Sequence, residues 1–420
     1  MAAPTDGSTI VRRRPWTVLA TVLATGYFFG VIARAIEAEQ LGIDFGVFHA
    51  GGSLINSQGY DAAYDNAGFS RHLATEYFPA LAESSTVAHF ISPPTFGWFA
   101  QGLTVWSFEV ALVIWLVLCA AALVPACRLL RLPVWTPAVL LLSPMMARNF
   151  GLGQTGSLML LLFAGLHCAH VEGRLVRGGV LAGLLILKPP LAFGYGLLWL
   201  TQATRHRWAI ITAALTGLVL SIPTLTGGFG PWRLFLDSML ERTDAESAWS
   251  QQSSSLPEFL KLLLPLAPSY VSVASWLVGI AVAWGVLIAV NRRFGSDAEF
   301  MSATAVVATV IASPHLLVYD SLILVVPVAV AYRRGLLTGD RAGLLAAVTT
   351  ASYAFGPAVY ELQYGLVGRG VGLEFPALVL CSALLVRWND EGPGGDGSLL
   401  PVLPDSTSVD REREDLVVSE

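Results

Sequence analysis

The sequence predicts an all-α polytopic membrane protein, and two observations carry that prediction. Of its 420 residues, 54% are hydrophobic and only 13% are charged, whereas a typical soluble domain is about 25% charged. Long runs contain no Asp, Glu, Lys or Arg, at 84–108, 149–171, 208–232 and 262–291, and a helix crosses a bilayer with roughly 20 apolar residues. A soluble enzyme, a nucleic-acid-binding protein and a disordered chain are therefore excluded.

Hydropathy predicts about 12 transmembrane helices between residues 15 and 388. The expected spans are 15–36, 93–107, 109–127, 133–148, 154–170, 178–201, 207–226, 269–290, 300–313, 316–332, 342–360 and 367–387. Several spans between 93 and 201 are short for a complete crossing, so their number stays open.

The charge distribution predicts the orientation of these spans. Basic residues gather in short connectors, which the positive-inside rule places in the cytoplasm together with residues 1–14. Segment 37–92 has seven acids and one Arg, so we expect it to be the first extracytoplasmic loop, with 227–268 as the second. The acidic segment 389–420 is expected to be a disordered cytoplasmic tail. The predicted location is the plasma (inner) membrane.

Asp44 is the first candidate catalytic residue. It follows the first span closely and has an aromatic neighbour, Phe45. Partial desolvation at the membrane face suits a carboxylate to act as a general base, although a solvated loop acid is the simpler interpretation. Residues 47–55 predict an amphipathic helix and 59–65 predict a turn, which together favour a folded loop.

Lys188 is one of only two lysines and lies in an apolar run. A cation within a membrane indicates a functional site with an anionic partner, unless it extends to the interface. Farther along the chain, His315 and Tyr319 would share one face of a helix starting near Pro314, with Asp320 adjacent. These three residues are expected to line a cavity.

Asn149 and Gln154 belong to a glycine-rich polar break, 149–156, between apolar runs. Glycine-rich backbone approaches a phosphate or a sugar closely, but the break lacks a P-loop ending. No zinc motif or carboxylate cluster appears in the sequence, so we expect no metal and no other cofactor.

Four breaks place proline beside a polar residue at the end of a hydrophobic segment: Ser92-Pro93-Pro94, Ser143-Pro144, Lys188-Pro189-Pro190 and Ser313-Pro314-His315. Broken backbone at membrane depth is tolerated only inside protein or along a wet cavity. The pattern favours a shared cavity over independent kinks.

Taken in order, these elements resemble the integral-membrane glycosyltransferases of family 87, in the GT-C superfamily, which includes polyprenyl-phosphate-mannose-dependent mannosyltransferases. The resemblance spans roughly 40–330. It rests on Asp44-Phe45 followed by the segment 59–65, on Ser92-Pro93-Pro94-Thr95-Phe96, on Asn149 and Gly153-Gln154 with Leu187-Lys188-Pro189, and on Ser313-Pro314-His315 with Tyr319-Asp320. Ser92 and Thr155-Gly156 depart from the expected pattern.

The resemblance implies a GT-C fold and a polyprenyl-phosphate sugar donor, with a glycolipid or glycan as acceptor at an extracytoplasmic active site. Asp44 would be the general base of an inverting transfer. Lys188 and His315 would bind the donor phosphate. Substrate contacts would come from five further residues: Tyr64, Asn149, Gln154, Tyr319 and Asp320.

Two other interpretations of the sequence stay open. Broken helices and a midplane cation are also typical of a transporter or flippase of lipid-linked sugars, although a carrier does not need a folded outer loop. A non-catalytic membrane scaffold would leave Asp44 and Lys188 without a role.

We expect removal of the acidic tail to leave sugar transfer intact, because this segment has the composition of a disordered chain. The measurement compares the full chain with a chain ending at Arg387 in a transfer assay on correctly inserted protein. Loss of transfer in the shortened chain, with insertion unchanged, would contradict the expectation.

Overall fold

The computed structural model describes residues 15–81, 89–225, 228–245, 255–263, 268–337, 339–367, 373, 375–377 and 379–381. The predicted cytoplasmic N-terminus and acidic tail lie outside the described residues, as does most of the last expected span.

Throughout the described ranges, the regular elements are helical. The helices are α1 Pro15–Glu37, α2 Ile43–Gln58, α3 Tyr60–Tyr64, α4 Asn66–Glu76, α5 Pro94–Leu103, α6 Phe108–Leu129, α7 Thr136–Leu141, α8 Pro144–Leu152, α9 Gly156–Val171, α10 Leu175–Gly183, α11 Phe193–Thr201, α12 Ala203–Leu225, α13 Gly230–Ala245, α14 Leu256–Leu263, α15 Pro268–Phe294, α16 Ala298–Ala312, α17 Val325–Arg333 and α18 Gly339–Val367.

Four of these helices, α1, α6, α12 and α15, are long and apolar enough to cross a membrane. Large apolar side chains remain exposed along them, as at Val117 in α6 and Val219 in α12. Exposed apolar surface of this kind fits contact with lipid rather than water. The expectation of a multi-pass membrane protein agrees with these helices, whereas the count of 12 spans stays a prediction.

Several expected spans are interrupted helices. The expected span 133–148 holds α7 and the beginning of α8, and 178–201 holds α10, two 3₁₀ segments (Leu184–Leu187 and Pro189–Ala192) and α11. Prolines cause these interruptions because they lack the N–H that continues a helical ladder. Pro94 and Pro144 each stand at the first position of a helix, where that missing N–H costs nothing.

The described residues of segment 37–92 are folded, as expected, around an apolar core that also includes Phe235 of α13. Phe69 and Leu73 of α4 and Phe90, which precedes α5, are fully buried in this core. The helix expected at 47–55 begins earlier, at Ile43, so Asp44 lies in its first turn. The turn expected at 59–65 is wrong: Gly59, at a φ of 91°, ends α2, and the chain enters α3 directly.

The helix expected to start near Pro314 is also wrong. Residues 313–317 are not helical, and a 3₁₀ helix begins only at Val318, covering Val318–Leu324. The Ser313 hydroxyl donates to the carbonyl of His315 at 3.1 Å, and this bond stabilises an open turn in place of a helical one. His315 and Tyr319 therefore do not share a helical face.

The main core of the membrane-embedded helices forms where α9 and α11 meet α16. Phe163, Tyr195 and Met301 are buried at this junction. Small residues allow close approach of the helices: the backbone N–H of Gly194 in α11 donates to the Thr309 hydroxyl of α16 at 3.2 Å. A Cβ at Gly194 would overlap the Ala305 carbonyl oxygen. Close contact through small residues is typical of membrane helix pairs.

Gly194→Ala is expected to destabilise the protein by about 1–3 kcal/mol, because the added methyl forces α11 and α16 apart. The matched control is Gly196→Ala in the same helix, where a Cβ meets nothing within 4 Å. The control is expected to be neutral or stabilising by up to about 1 kcal/mol. Thermal unfolding of both variants in lipid nanodiscs measures the difference, and equal midpoints would contradict the expectation.

Candidate active site

Asp44 is held beside the glycine-rich break between α8 and α9. Its carboxylate accepts a hydrogen bond from Gln154 Nε2, with a distance of 2.8 Å to Oδ2. Asp44 is half-buried, whereas only 7% of Gln154 is exposed. The neutral amide therefore orients the carboxylate from inside the protein.

Backbone contacts fix α2 and the break relative to each other. The N–H of Gly42, just before α2, donates to the Gly151 carbonyl at 2.8 Å, and Trp115 Nε1 of α6 donates to the Gly153 carbonyl at 2.9 Å. Gly153 has a φ of 71°, and a Cβ there would lie 2.5 Å from the Cβ of Phe45. Only glycine suits this position, because it accepts positive φ and leaves room for α2.

Lys188 is surrounded by the second group of predicted residues. Its Nζ lies 2.5 Å from Asp320 Oδ1, 4.9 Å from the centre of the Tyr319 ring and 3.5 Å from the Thr155 hydroxyl. Only 2% of Asp320 is exposed. A buried carboxylate of this kind requires a cationic partner, and Lys188 supplies it from the break between two 3₁₀ segments.

Asn149 lies deeper, behind this ion pair. It is fully buried, and neither polar atom of its amide has a nitrogen or oxygen hydrogen-bond partner; the Cys119 thiol is a neighbouring polar group. A Cβ added to Gly156 would lie 2.9 Å from Asn149 Oδ1 and would overlap the Tyr319 carbonyl oxygen. Asn149 is therefore close to the start of α9 and to the segment that carries Asp320.

His315 makes a different contact from the one that the sequence suggested. Its Nδ1 lies 3.8 Å from Oε1 of Glu258 in α14, an ion-pair distance. The same carboxylate oxygen accepts from Lys261 Nζ at 2.8 Å, and only 2% of Glu258 is exposed. Burial acts to raise the pKa of Glu258, but His315 and Lys261 outweigh it and hold that pKa below its usual value.

Tyr64 is placed in the core of the folded segment 37–92. Its hydroxyl donates to the Ser92 carbonyl at 2.7 Å, and its ring contacts Phe90. Burial, reinforced by the neighbouring Tyr60, raises the pKa of Tyr64. The hydroxyl therefore stays protonated as a donor, and it fixes the segment that leads into Pro93 and Pro94.

The structure thus brings five of the eight predicted residues together in two groups, and Tyr64, Asn149 and His315 belong to neither. One joins Asp44 to Gln154, and the other joins Lys188 to Tyr319 and Asp320. The dipeptide Gln154-Thr155 connects them, because its first residue contacts Asp44 and its second contacts Lys188. Two of the proline breaks are also in contact with each other. The hydroxyl of Thr95, next to Pro94, donates to the carbonyl of Ile186, which precedes Lys188-Pro189, at 3.4 Å.

Sequence reasoning missed three residues of this region: Thr155, Glu258 and Lys261. Thr155 stood out only as a departure from the family pattern. Glu258 and Lys261 carried an available signal, since they form an i,i+3 charge pair within the apolar stretch 255–266.

The model of glycosyltransferase family 87 matches residues 90–314, slightly more than half of the chain. Comparisons with curated proteins and with solved structures gave no match. The matched region contains Asn149, Gln154 and Lys188, and it includes Glu258. His315 and Asp320 lie just after it, whereas Asp44 lies well before it, in the segment that precedes residue 90.

Removal of Lys188 is expected to cost about 3–5 kcal/mol of stability, because it leaves the Asp320 carboxylate buried and unpaired. Lys188→Met combined with Asp320→Leu is expected to lose less than Lys188→Met alone. Thermal unfolding in nanodiscs gives both values and their coupling.

The matched control is the exposed ion pair of Arg174 and Glu172, whose side chains are 60% and 43% exposed. Arg174→Met is expected to change stability by less than about 1 kcal/mol. If Lys188→Met lost no more stability than Arg174→Met, the buried pair would not have the importance assigned to it.

Proposed function

Since the chain belongs to glycosyltransferase family 87, it is a membrane glycosyltransferase, and we propose that it moves mannose from a polyprenyl-phosphate donor to a hydroxyl of a lipid- or polysaccharide-linked glycan. We place the reaction on the outer side of the plasma membrane. The donor and the acceptor are the proposed partners, together with the surrounding membrane lipids.

The observation that carries this proposal is the connection of Asp44 to Lys188 through Gln154-Thr155. A transferase that acts on a sugar phosphate needs a base for the acceptor and a cation for the leaving phosphate. Adjacent residues, Gln154 and Thr155, contact the carboxylate and the ammonium group. This favours their action on one bound donor and one bound acceptor.

The proposed step is a direct displacement at the anomeric carbon. The acceptor oxygen forms the new bond to this carbon while its proton passes to the Asp44 carboxylate. The bond from the carbon to the phosphate oxygen breaks, and its electron pair leaves with the polyprenyl phosphate. Because the base and the leaving group lie on opposite faces of the sugar, the configuration inverts.

Lys188 and His315 are proposed to stabilise the charge that grows on the departing phosphate. Lys188 is suited to this task because its ammonium is compensated by Asp320 in the free protein and has donors left for an anion. Gln154 and Tyr319 are proposed to contact the sugar or phosphate next to these charges, and the buried Asn149 and Tyr64 are proposed to support the walls of the site.

Asp44→Asn is expected to reduce transfer by about 10²–10⁴-fold, the usual contribution of a general base. The amide oxygen of asparagine can still accept from Gln154, so donor binding is expected to persist. The assay follows radiolabel from polyprenyl-phosphate mannose into a new product, with purified protein in lipid and an acceptor-lipid extract.

Asp61→Asn is the matched control, since Asp61 is an exposed acid of the same folded segment, and it is expected to transfer at the wild-type rate. Transfer that survives Asp44→Asn would assign the base elsewhere, with His315 or Asp320 next. A wild-type protein that carries labelled donor across vesicles without forming a product would favour the transporter interpretation.

A further inference from the structure

The structure contains a second ion-pair cluster around a buried carboxylate, in which Glu258 and Lys261 join the predicted site residue His315. Glu258 and Lys261 lie in α14, within the predicted second outer loop. His315 lies in the non-helical segment 313–317. The cluster therefore joins an outer-loop helix to the same stretch of chain that ends in Tyr319 and Asp320.

We propose that Glu258 is a positioning residue for sugar transfer, which orients the His315 imidazole and keeps it charged for contact with the donor phosphate. This inference rests on the proposed function of His315 as a phosphate ligand. In this proposal, α14 supports the site because it carries Glu258.

Burial and distance carry the argument. The Glu258 side chain is 3% exposed and that of His315 is 28% exposed, so the carboxylate is enclosed while the imidazole keeps access to an open space. With 3.8 Å between Nδ1 and Oε1, the carboxylate favours the protonated imidazole.

Packing keeps α14 in place for this role. The helix rests on α15 and α16, and a Cβ at Gly279 of α15 would lie 2.7 Å from Pro257 and 3.0 Å from the Ile311 carbonyl oxygen. The charged residues of α15 and α16 are Arg292, Arg293 and Glu299, all at the opposite ends of these helices. Besides His315, Lys261 of the same helix is the charged side chain in contact with Glu258 among the described residues, and Phe375 also packs on α14 through Phe259.

The direction in which the pH profile of transfer shifts distinguishes this proposal from a purely structural role for Glu258. If a charged imidazole binds the leaving phosphate, transfer falls as the pH rises and His315 loses its proton. Glu258→Gln removes the charge that favours the protonated form, so the alkaline decline moves to lower pH. Lys261→Met removes a neighbouring positive charge, so the decline stays in place or moves to higher pH.

The first measurement is the pH profile of kcat/KM for the full-length protein in lipid with polyprenyl-phosphate mannose. Relative to the wild type, kcat/KM of Glu258→Gln is expected to fall about tenfold more at alkaline pH than at acid pH. This difference corresponds to a shift of about one pH unit in the midpoint of the alkaline decline. Glu258→Asp is expected to restore most of the alkaline activity. In a His315→Gln background, Glu258→Gln is expected to add no further pH-dependent loss.

The second measurement does not depend on turnover. Diethyl pyrocarbonate reacts with the neutral imidazole, so the pH dependence of His315 modification, read by peptide mass spectrometry, reports its protonation directly. The midpoint is expected at lower pH in Glu258→Gln than in the wild type and Lys261→Met.

An equal loss of activity at every pH, or a modification midpoint that Glu258→Gln leaves unchanged, would overturn the proposal. If the wild type transfers no sugar but the midpoint shifts, the pairing of Glu258 with His315 stands while the proposed function fails. The two measurements therefore distinguish the failure of one inference from the failure of the other.

Discussion

The ion pair between Lys188 and Asp320 is the constraint on which the arrangement of this region depends. A carboxylate with 2% exposure among apolar helices requires a cation at contact distance, and Nζ supplies it at 2.5 Å. Neither residue reaches this position from a continuous α-helix. Lys188 lies between two 3₁₀ segments and Asp320 lies in a third, so the proline breaks and the ion pair support each other.

Both lysines of the chain are used in the same way. Lys188 pairs with Asp320, and Lys261 pairs with Glu258, each carboxylate being almost completely buried. The two pairs are connected by one segment, 313–320, which carries His315 near one end and Asp320 at the other. This segment is not helical over 313–317. The Ser313 N–H anchors it to α16 by donating to the Thr309 carbonyl, and the ion-pair contacts of His315 and Asp320 add to that backbone anchor.

Charges in apolar runs were visible in the sequence, which is why Asp44, Lys188 and Asp320 were found there. The membrane class and the folded segment 37–92 followed from composition and periodicity. The partners were not visible, because Gln154 is 110 residues from Asp44 in the chain and Asp320 is 132 residues from Lys188.

The late helix start at Val318 was missed because the turn at Ser313 and His315 depends on a side-chain hydrogen bond that propensity does not encode. Glu258 was missed because its burial arises from packing against α15 and α16.

The different partners of the two central carboxylates favour Asp44 over Asp320 as the base. Asp320 accepts from the Lys188 ammonium in a buried ion pair, so this carboxylate is already occupied in holding the cation in place. Asp44 accepts from the amide of Gln154, whose neighbour Thr155 accepts from Lys188. The amide in turn is fixed by a break whose backbone is bonded to α6 and to the residue before α2. The proposed base and the proposed phosphate ligand are thus held by neighbouring residues of one short segment, and a displacement at a sugar phosphate requires such mutual positioning of the two groups.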